Sequence, residues 1–275
     1  MVKPLQTICK LRDIRTRCAS TLLVLGLCSH IIAQPVASTE MVERHAATNA
    51  GMTSDSEAGR IATQRDAGGA GQLLVIGFMG GNVSGGNLVH REALVARDLQ
   101  QLYPLDIHAT VFANSDWKSA LQTVLHHLDA NGAGLPSEQE KQAARIVIYG
   151  HSWGASEAVT LAGRLEKLGI PVLLTIQIDS VEKLNENDGS IPPNVREAVN
   201  FYQSEGLLHG RISITAMDPK QTTILGNYKM SYREHPIACD GFPWFARAFM
   251  KPHIEIENDP AVWERIVALI RTQMP

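Results

Sequence analysis

Gly150-His151-Ser152-Trp153-Gly154 matches the spacing G-x-S-x-G. A serine flanked in this way can act as a nucleophile when it sits on a sharp turn between a buried strand and a helix, because the turn lifts its hydroxyl clear of the sheet. The context fits. Ile146-Val147-Ile148-Tyr149 precede the motif as a short apolar run, and Ala155 to Leu165 follow with helical character. Gly150 and Gly154 remove side chains that would collide at such a turn. The helix start behind Ser152 adds partial positive charge toward an oxyanion forming there. A serine hydroxyl is a weak nucleophile by itself. It needs a general base to take its proton and a carboxylate to orient that base.

Other chemistries fail on particular residues. The Gly-rich stretch Gly77 to Gly86 is not a dinucleotide fingerprint, because Met79 stands where the second glycine is needed. It is not a phosphate-binding P-loop either, because Gly86 follows Gly85 where lysine is required. His126 and His127 are adjacent on an expected helix and point to different sides of it, a poor metal pair. There is no H-E-x-x-H and no C-x-x-C. The expectation is a site without cofactor or metal.

The elements around the motif alternate between strands and helices. Leu73-Leu74-Val75-Ile76-Gly77 reads as a strand buried on both sides. A helix is predicted over Leu88–Leu102, a strand over Leu105–Ala113 and an amphipathic helix over Trp117–Leu128. Then come a strand over Arg145–Tyr149, a helix over Ser156–Leu168 and a strand over Pro171–Ile178. Residues 180–209 read as a long connection with one amphipathic stretch, Val195 to Tyr202, before a fifth strand over Arg211–Ala216. Asp259-Pro260 is an N-cap and N1 pair that opens a last helix ending near Arg271. This order implies an α/β fold: a mostly parallel sheet with helices on both faces, with functional groups at the carboxyl ends of its strands.

Charge divides the chain. Residues 1–20 carry five basic side chains against Asp13, so +4 of a total of −3 lies there and the remaining residues sum to −7. No strongly basic patch offers itself to nucleic acid. The basic start precedes the apolar run Thr21 to Leu27 and small residues up to Ala33 and Ala37, the pattern of a secretory signal. The run is shorter than the roughly 20 apolar residues of a membrane-spanning helix. The expected organisation is a signal peptide over 1–37, a flexible linker over 38–70 and one domain over 71–275, exported and without a stable membrane span after cleavage. Cys9, Cys18 and Cys28 fall in the leader, which leaves Cys239 alone in the body.

With its GHSWG elbow in this setting, the sequence over residues 72–273 resembles the α/β-hydrolase superfamily, in particular bacterial lipase- and thioesterase-like serine hydrolases. The resemblance implies the α/β-hydrolase fold and a triad in the order nucleophile, acid, base. It places the base in a loop just before the final helix, where His253 follows Met250-Lys251-Pro252. His235 is the second choice. His209 sits at the amino end of an expected strand, away from the site. Two aspartates end expected strands, Asp179 and Asp218. Asp179 is preferred and Asp218 stays open, while Asp188 in Asn187-Asp188-Gly189 reads as a turn residue. For the oxyanion hole the resemblance implies two backbone N–H groups, Phe78 with Met79 close behind, and Trp153. The implied activity is hydrolysis of a small-molecule carboxylic ester or thioester through an acyl-enzyme. Amide hydrolysis on the same triad, or a non-catalytic binding scaffold, are the alternatives. Phe242, Trp244, Phe245 and Phe249 cluster just before His253, either as an acyl pocket or flap or as packing of the last helices. Oligomeric state is not legible.

Overall fold

A computed structural model describes residues 71–184 and 186–275. The expected signal over 1–37 and the linker over 38–70 lie outside the described residues. The strands are β1 (Leu73–Phe78), β2 (Ile107–Phe112), β3 (Ile146–His151), β4 (Val172–Ile178), the short β5 (Ser190–Ile191), β6 (Val195–Tyr202), the short β7 (Thr215–Ala216) and β8 (Thr223–Lys229). Six of them form one parallel sheet in the order β2-β1-β3-β4-β6-β8. The helices are α1 (Arg91–Leu102), α2 (Trp117–Leu128), α3 (Glu138–Gln142), α4 (Trp153–Glu166), α5 (Trp244–Phe249), α6 (Lys251–Asn258) and α7 (Pro260–Arg271).

Continuous apolar strands need a cover on both faces, and β1 shows how this is met. Leu74, Ile76 and Phe78 pack with Ala120 and Val124 of α2 and with Ala158 and Leu161 of α4. Leu73 and Val75 point the other way, into a cluster with Val95 and Leu99 of α1 and Trp263 and Ile266 of α7. The period of two along the strand thus divides the core between two layers of helices. The sheet is parallel because each pair of strands is joined by a crossover rather than a hairpin.

The expected elements up to β4 are found. The expected last helix is found too, as α7 with Asp259 at its N-cap, and the chain between β4 and α7 differs in three ways. Val195–Tyr202 is not part of a connection; it is β6, an interior strand between β4 and β8 with Ala198 to Phe201 buried. Its Val-Arg-Glu start looks like a surface helix in sequence, but pairing with β4 decides the conformation. The expected strand over Arg211–Ala216 shortens to β7, which pairs only with β5 in a two-stranded side sheet. β8, absent from the sequence reading, takes the sheet edge; its half-exposed residues carry no apolar run.

Two chain reversals at the carboxyl edge are held under strain. Ser152 has φ 55° and Asp179 φ 43°, the two described non-glycine residues with positive φ. Such conformations cost on the order of 1–3 kcal/mol and persist where the surroundings over-determine them. Glycine makes the approach possible. A Cβ on Gly154 would lie 2.3 Å from the carbonyl oxygen of Phe78 and 2.7 Å from that of Met79. Gly154→Ala is therefore expected to lose about 3 kcal/mol, the upper end of ordinary overpacking costs, since backbone must move to make room. A urea-unfolding midpoint equal to that of the unchanged protein would contradict this contact.

Candidate active site

Ser152 stands between β3 and α4. Its N–H donates to Ile178 O at 2.9 Å, and its carbonyl accepts from Val181 N–H at 3.2 Å. These bonds tie the elbow to the end of β4, where Asp179 follows. His253 is the third residue of α6 and is 4% exposed. The expectation of a loop histidine is corrected here. Pro252 next to it occupies the first turn of a helix, where proline's missing N–H costs nothing.

The structure brings His253 and Asp179 together, with His253 Nδ1 2.6 Å from Asp179 Oδ2. Asp179 is fully buried and its carboxylate is fully used. Oδ1 accepts from Gln203 N–H at 3.1 Å and Gly210 N–H at 2.8 Å, and Oδ2 also accepts from Gln203 Nε2 at 2.7 Å. Burial alone would raise the pKa of Asp179. The bonds from His253 and Gln203 outweigh it and hold the pKa below the ordinary value. Ser152 and His253 line the same cavity of about 590 Å³, and Ser152 Oγ makes no hydrogen bond among the described residues. Ring nitrogens in unliganded sites commonly close on the nucleophile only when substrate arrives.

Asp218 does not join them. It lies on a surface turn between β7 and β8, where its carboxylate accepts from Lys220 N–H and Gln221 Nε2. His235 and His209 are exposed. Asp188 is not the turn residue; Asn187 Oδ1 takes the Gly189 N–H instead. Asp188 is buried and receives the Ser180 hydroxyl and the Arg211 guanidinium, which steadies the loops on either side of Asp179.

Of the two N–H groups expected to hold an oxyanion, Trp153 and Phe78, the described hydrogen bonds leave only the first open. Trp153 opens α4, so its N–H is one of the first-turn donors a helix leaves unpaired. Phe78, however, is the last residue of β1 and pairs with Phe112 on one side and Gly150 on the other. Leu74 N–H donates to Arg145 O in the same ladder, and the alternation of a parallel pair assigns the Phe78 N–H to that ladder too. Met79 N–H goes to Phe112 O at 2.9 Å, and Gly80 N–H to Glu92 Oε1 at 3.1 Å. Gly81 carries the first loop N–H past β1 without an acceptor among the described residues. Asn114 holds this loop through the carbonyls of Met79 and Gly81.

Sequence reasoning missed Gln203, Gly210 and Asn114, which act through hydrogen bonds between distant segments. It also missed the groups behind His151. That ring lies against His253 with centroids 4.5 Å apart, and its Nε2 is 3.2 Å from the His253 carbonyl oxygen. Burial and the nearby His253 push its pKa well down. Beyond it, Glu92 is pushed up to about 8 by burial and by Glu257. The aromatic cluster splits in two. Phe242 and Phe245 line the cavity with Leu208, Met250 and Ile254, whereas Trp244 and Phe249 are 72% and 54% exposed.

No family model and no curated protein matches the sequence. Among solved structures the chain is similar to RedJ with a PEG molecule bound in its active site, at 10% identity and a TM-score of 0.40 over 90% of this chain and 99% of that one. It is also similar to fungal esterases from Rhizomucor miehei, at 12% identity and a TM-score of 0.38 over 76% of both chains. A dienelactone hydrolase-like promiscuous phosphotriesterase from metagenomic libraries matches at 12% identity and a TM-score of 0.36, over 76% of this chain and 90% of that one. None of the described helices is long and apolar enough to cross a membrane.

Proposed function

We propose that the protein is a serine hydrolase that cleaves a carboxylic ester or thioester through an acyl-enzyme. The observation that carries this is the Asp179–His253 pair beside a serine held at positive φ on the wall of one cavity. Asp179 accepts from His253 Nδ1–H and so leaves Nε2 as the nitrogen with a lone pair. Nε2 takes the Ser152 proton as Oγ bonds to the substrate carbonyl carbon, and the carbonyl oxygen becomes an oxyanion. The Trp153 N–H stabilises that charge, with Gly81 in the place first assigned to Phe78; one such donor contributes about 3–4 kcal/mol. The tetrahedral species collapses, and His253 returns its proton to the departing alcohol or thiol. Water then attacks the acyl-enzyme by the same route and releases the carboxylic acid and free Ser152. The wall formed by Leu208, Phe242, Phe245, Met250 and Ile254 favours an apolar group on the substrate.

Labelling by a fluorophosphonate probe tests the reaction class. The expected result is one covalent adduct, mapped to Ser152, together with hydrolysis of nitrophenyl esters within the series from acetate to palmitate. Absence of labelling would leave a non-catalytic scaffold. Labelling with turnover of anilides but of no ester in the series would move the activity to amides.

A further inference from the structure

A second polar cluster lies directly behind the nucleophile, where three elements converge. His90 caps α1, Glu92 is in its first turn, His151 ends β3, and Glu257 is on α6. We propose that His90, Glu92, His151 and Glu257 bind one divalent transition cation, with zinc the ion their donors suit best. This site is separate from the triad and does not depend on the serine-hydrolase reading.

The geometry fits a single small ion. Ligand atoms of His90, Glu92 and Glu257 all lie within 4.8 Å of one another. His90 Nδ1 is 2.6 Å from Glu257 Oε1, and His151 Nδ1 is 3.4 Å from Glu257 Oε2 and 3.9 Å from Glu92 Oε1. A tetrahedral zinc with bonds of about 2.0–2.2 Å sets its donor atoms about 3.4 Å apart. The two His151 separations lie near that value, and the 2.6 Å contact of His90 Nδ1 with Glu257 Oε1 is a hydrogen bond that the ion would replace.

The hydrogen bonds dictate which atoms are open. His151 Nε2 faces the carbonyl oxygen of His253, which can only accept. In the neutral ring that nitrogen carries the hydrogen, so Nδ1 presents a lone pair. The lone pair points at two carboxylates, and His151 Nδ1 and Glu92 Oε2 both lack a hydrogen-bond partner among the described residues. The two residues are only 3% and 0% exposed. Polar atoms crowded together in a buried place are costly unless a proton or a cation lies between them. No Lys or Arg pairs with Glu92 or Glu257 among the described residues. A cation would satisfy the open atoms of His151 and Glu92 and take the place of the hydrogen bond between His90 and Glu257.

Outer contacts hold the donors as a metal site requires. Gly80 N–H donates to Glu92 Oε1, Tyr149 OH to the Glu92 carbonyl at 2.7 Å, and Trp263 Nε1 to the Glu257 carbonyl at 2.6 Å. His90, His151 and Glu257 line the cavity, which supplies an entry path. Two imidazole nitrogens and two carboxylate oxygens suit zinc or its transition-metal neighbours. They do not suit calcium or magnesium, which prefer all-oxygen shells. The ion would join the loop after β1, the serine elbow and the helix bearing His253, and so position all three.

The test is metal binding by the full chain, read without any activity assay. Stripped protein is equilibrated with zinc buffered by nitrilotriacetate, and its metal content is measured. The expected result is one zinc per chain, bound at least about 100-fold more weakly by His90→Ala. Cobalt in place of zinc is expected to show the intense visible bands of a four-coordinate site. The stacked pair of exposed His108 and half-buried His127, with ring centroids 5.6 Å apart, is the competing binder. His127→Ala is expected to leave the stoichiometry unchanged. Absence of stoichiometric zinc, unchanged affinity in His90→Ala, loss of zinc in His127→Ala, or a weak six-coordinate cobalt spectrum would each overturn the proposal. Glu92→Gln removes a buried carboxylate; should it fail to fold, His90→Ala and the cobalt spectrum of the unchanged protein still decide.

Discussion

Ser152→Ala is expected to abolish fluorophosphonate labelling and to lower kcat on nitrophenyl esters by on the order of 10⁴-fold or more. The magnitude follows from how a triad works. Its members act as a unit, so removing the nucleophile costs about as much as removing the whole set, and only binding and oxyanion stabilisation remain. The substitution is otherwise mild. Ser152 Oγ makes no hydrogen bond among the described residues, so its loss strands no buried partner. The methyl group keeps the Cβ at φ 55°, so the elbow retains its strain rather than relaxing. Thermal unfolding should therefore stay close to that of the unchanged protein while turnover vanishes. Retained esterase activity with normal folding would remove Ser152 from the mechanism.

Asp179→Asn is expected to lower kcat by roughly three to four orders of magnitude, the scale known for an acid that sets the imidazole tautomer. The hydrogen bonds around Asp179 say why. Its Oδ1 accepts two backbone N–H groups, from Gln203 and Gly210, so an asparagine would keep its oxygen there. Its amide nitrogen would then replace Oδ2 and meet His253 Nδ1 and Gln203 Nε2. An N–H donor facing Nδ1 forces the ring hydrogen onto Nε2, and that nitrogen can no longer accept from serine. Asp218→Asn is the control. Asp218 touches only Lys220 and Gln221 within its own turn, and the substitution is expected to leave kcat within about twofold, as surface changes usually do. Equal losses in the two variants, or a loss confined to Asp218→Asn, would place the acid elsewhere.

Much of Ser152's setting was legible in the residues. A run of β-branched side chains, then Gly-x-Ser-x-Gly, then a helical period, leaves few conformations open locally. Ser152 and Trp153 stand where those residues imply. The parallel sheet was legible through β4 for the same reason, since continuous apolar strands alternating with amphipathic helices have few ways to bury themselves. Asp179 against Asp218 was not decided by type or local context, since both end an expected strand. Only the pairing of β4 beside β6 puts Asp179 next to Gln203 and within reach of α6, while β7 leaves the main sheet and takes Asp218 with it. The open N–H after β1 moved from Phe78 to Gly81 for a similar reason. Backbone N–H groups carry no sequence signature, and which one is free depends on the partners its neighbours find, here Phe112 and Glu92. β6 was misread because its exposed Arg196 and half-buried Glu197 belong to one end of a strand whose remainder is held by β4. The cluster of His90, Glu92, His151 and Glu257 has no motif at all. Its members lie on a helix cap, a strand end and a second helix up to 167 positions apart, and no local pattern can report a contact made by folding alone. Short-range sterics and hydrophobic period are written in neighbouring residues; hydrogen-bond partners across the sheet edge are set by which strands end up side by side.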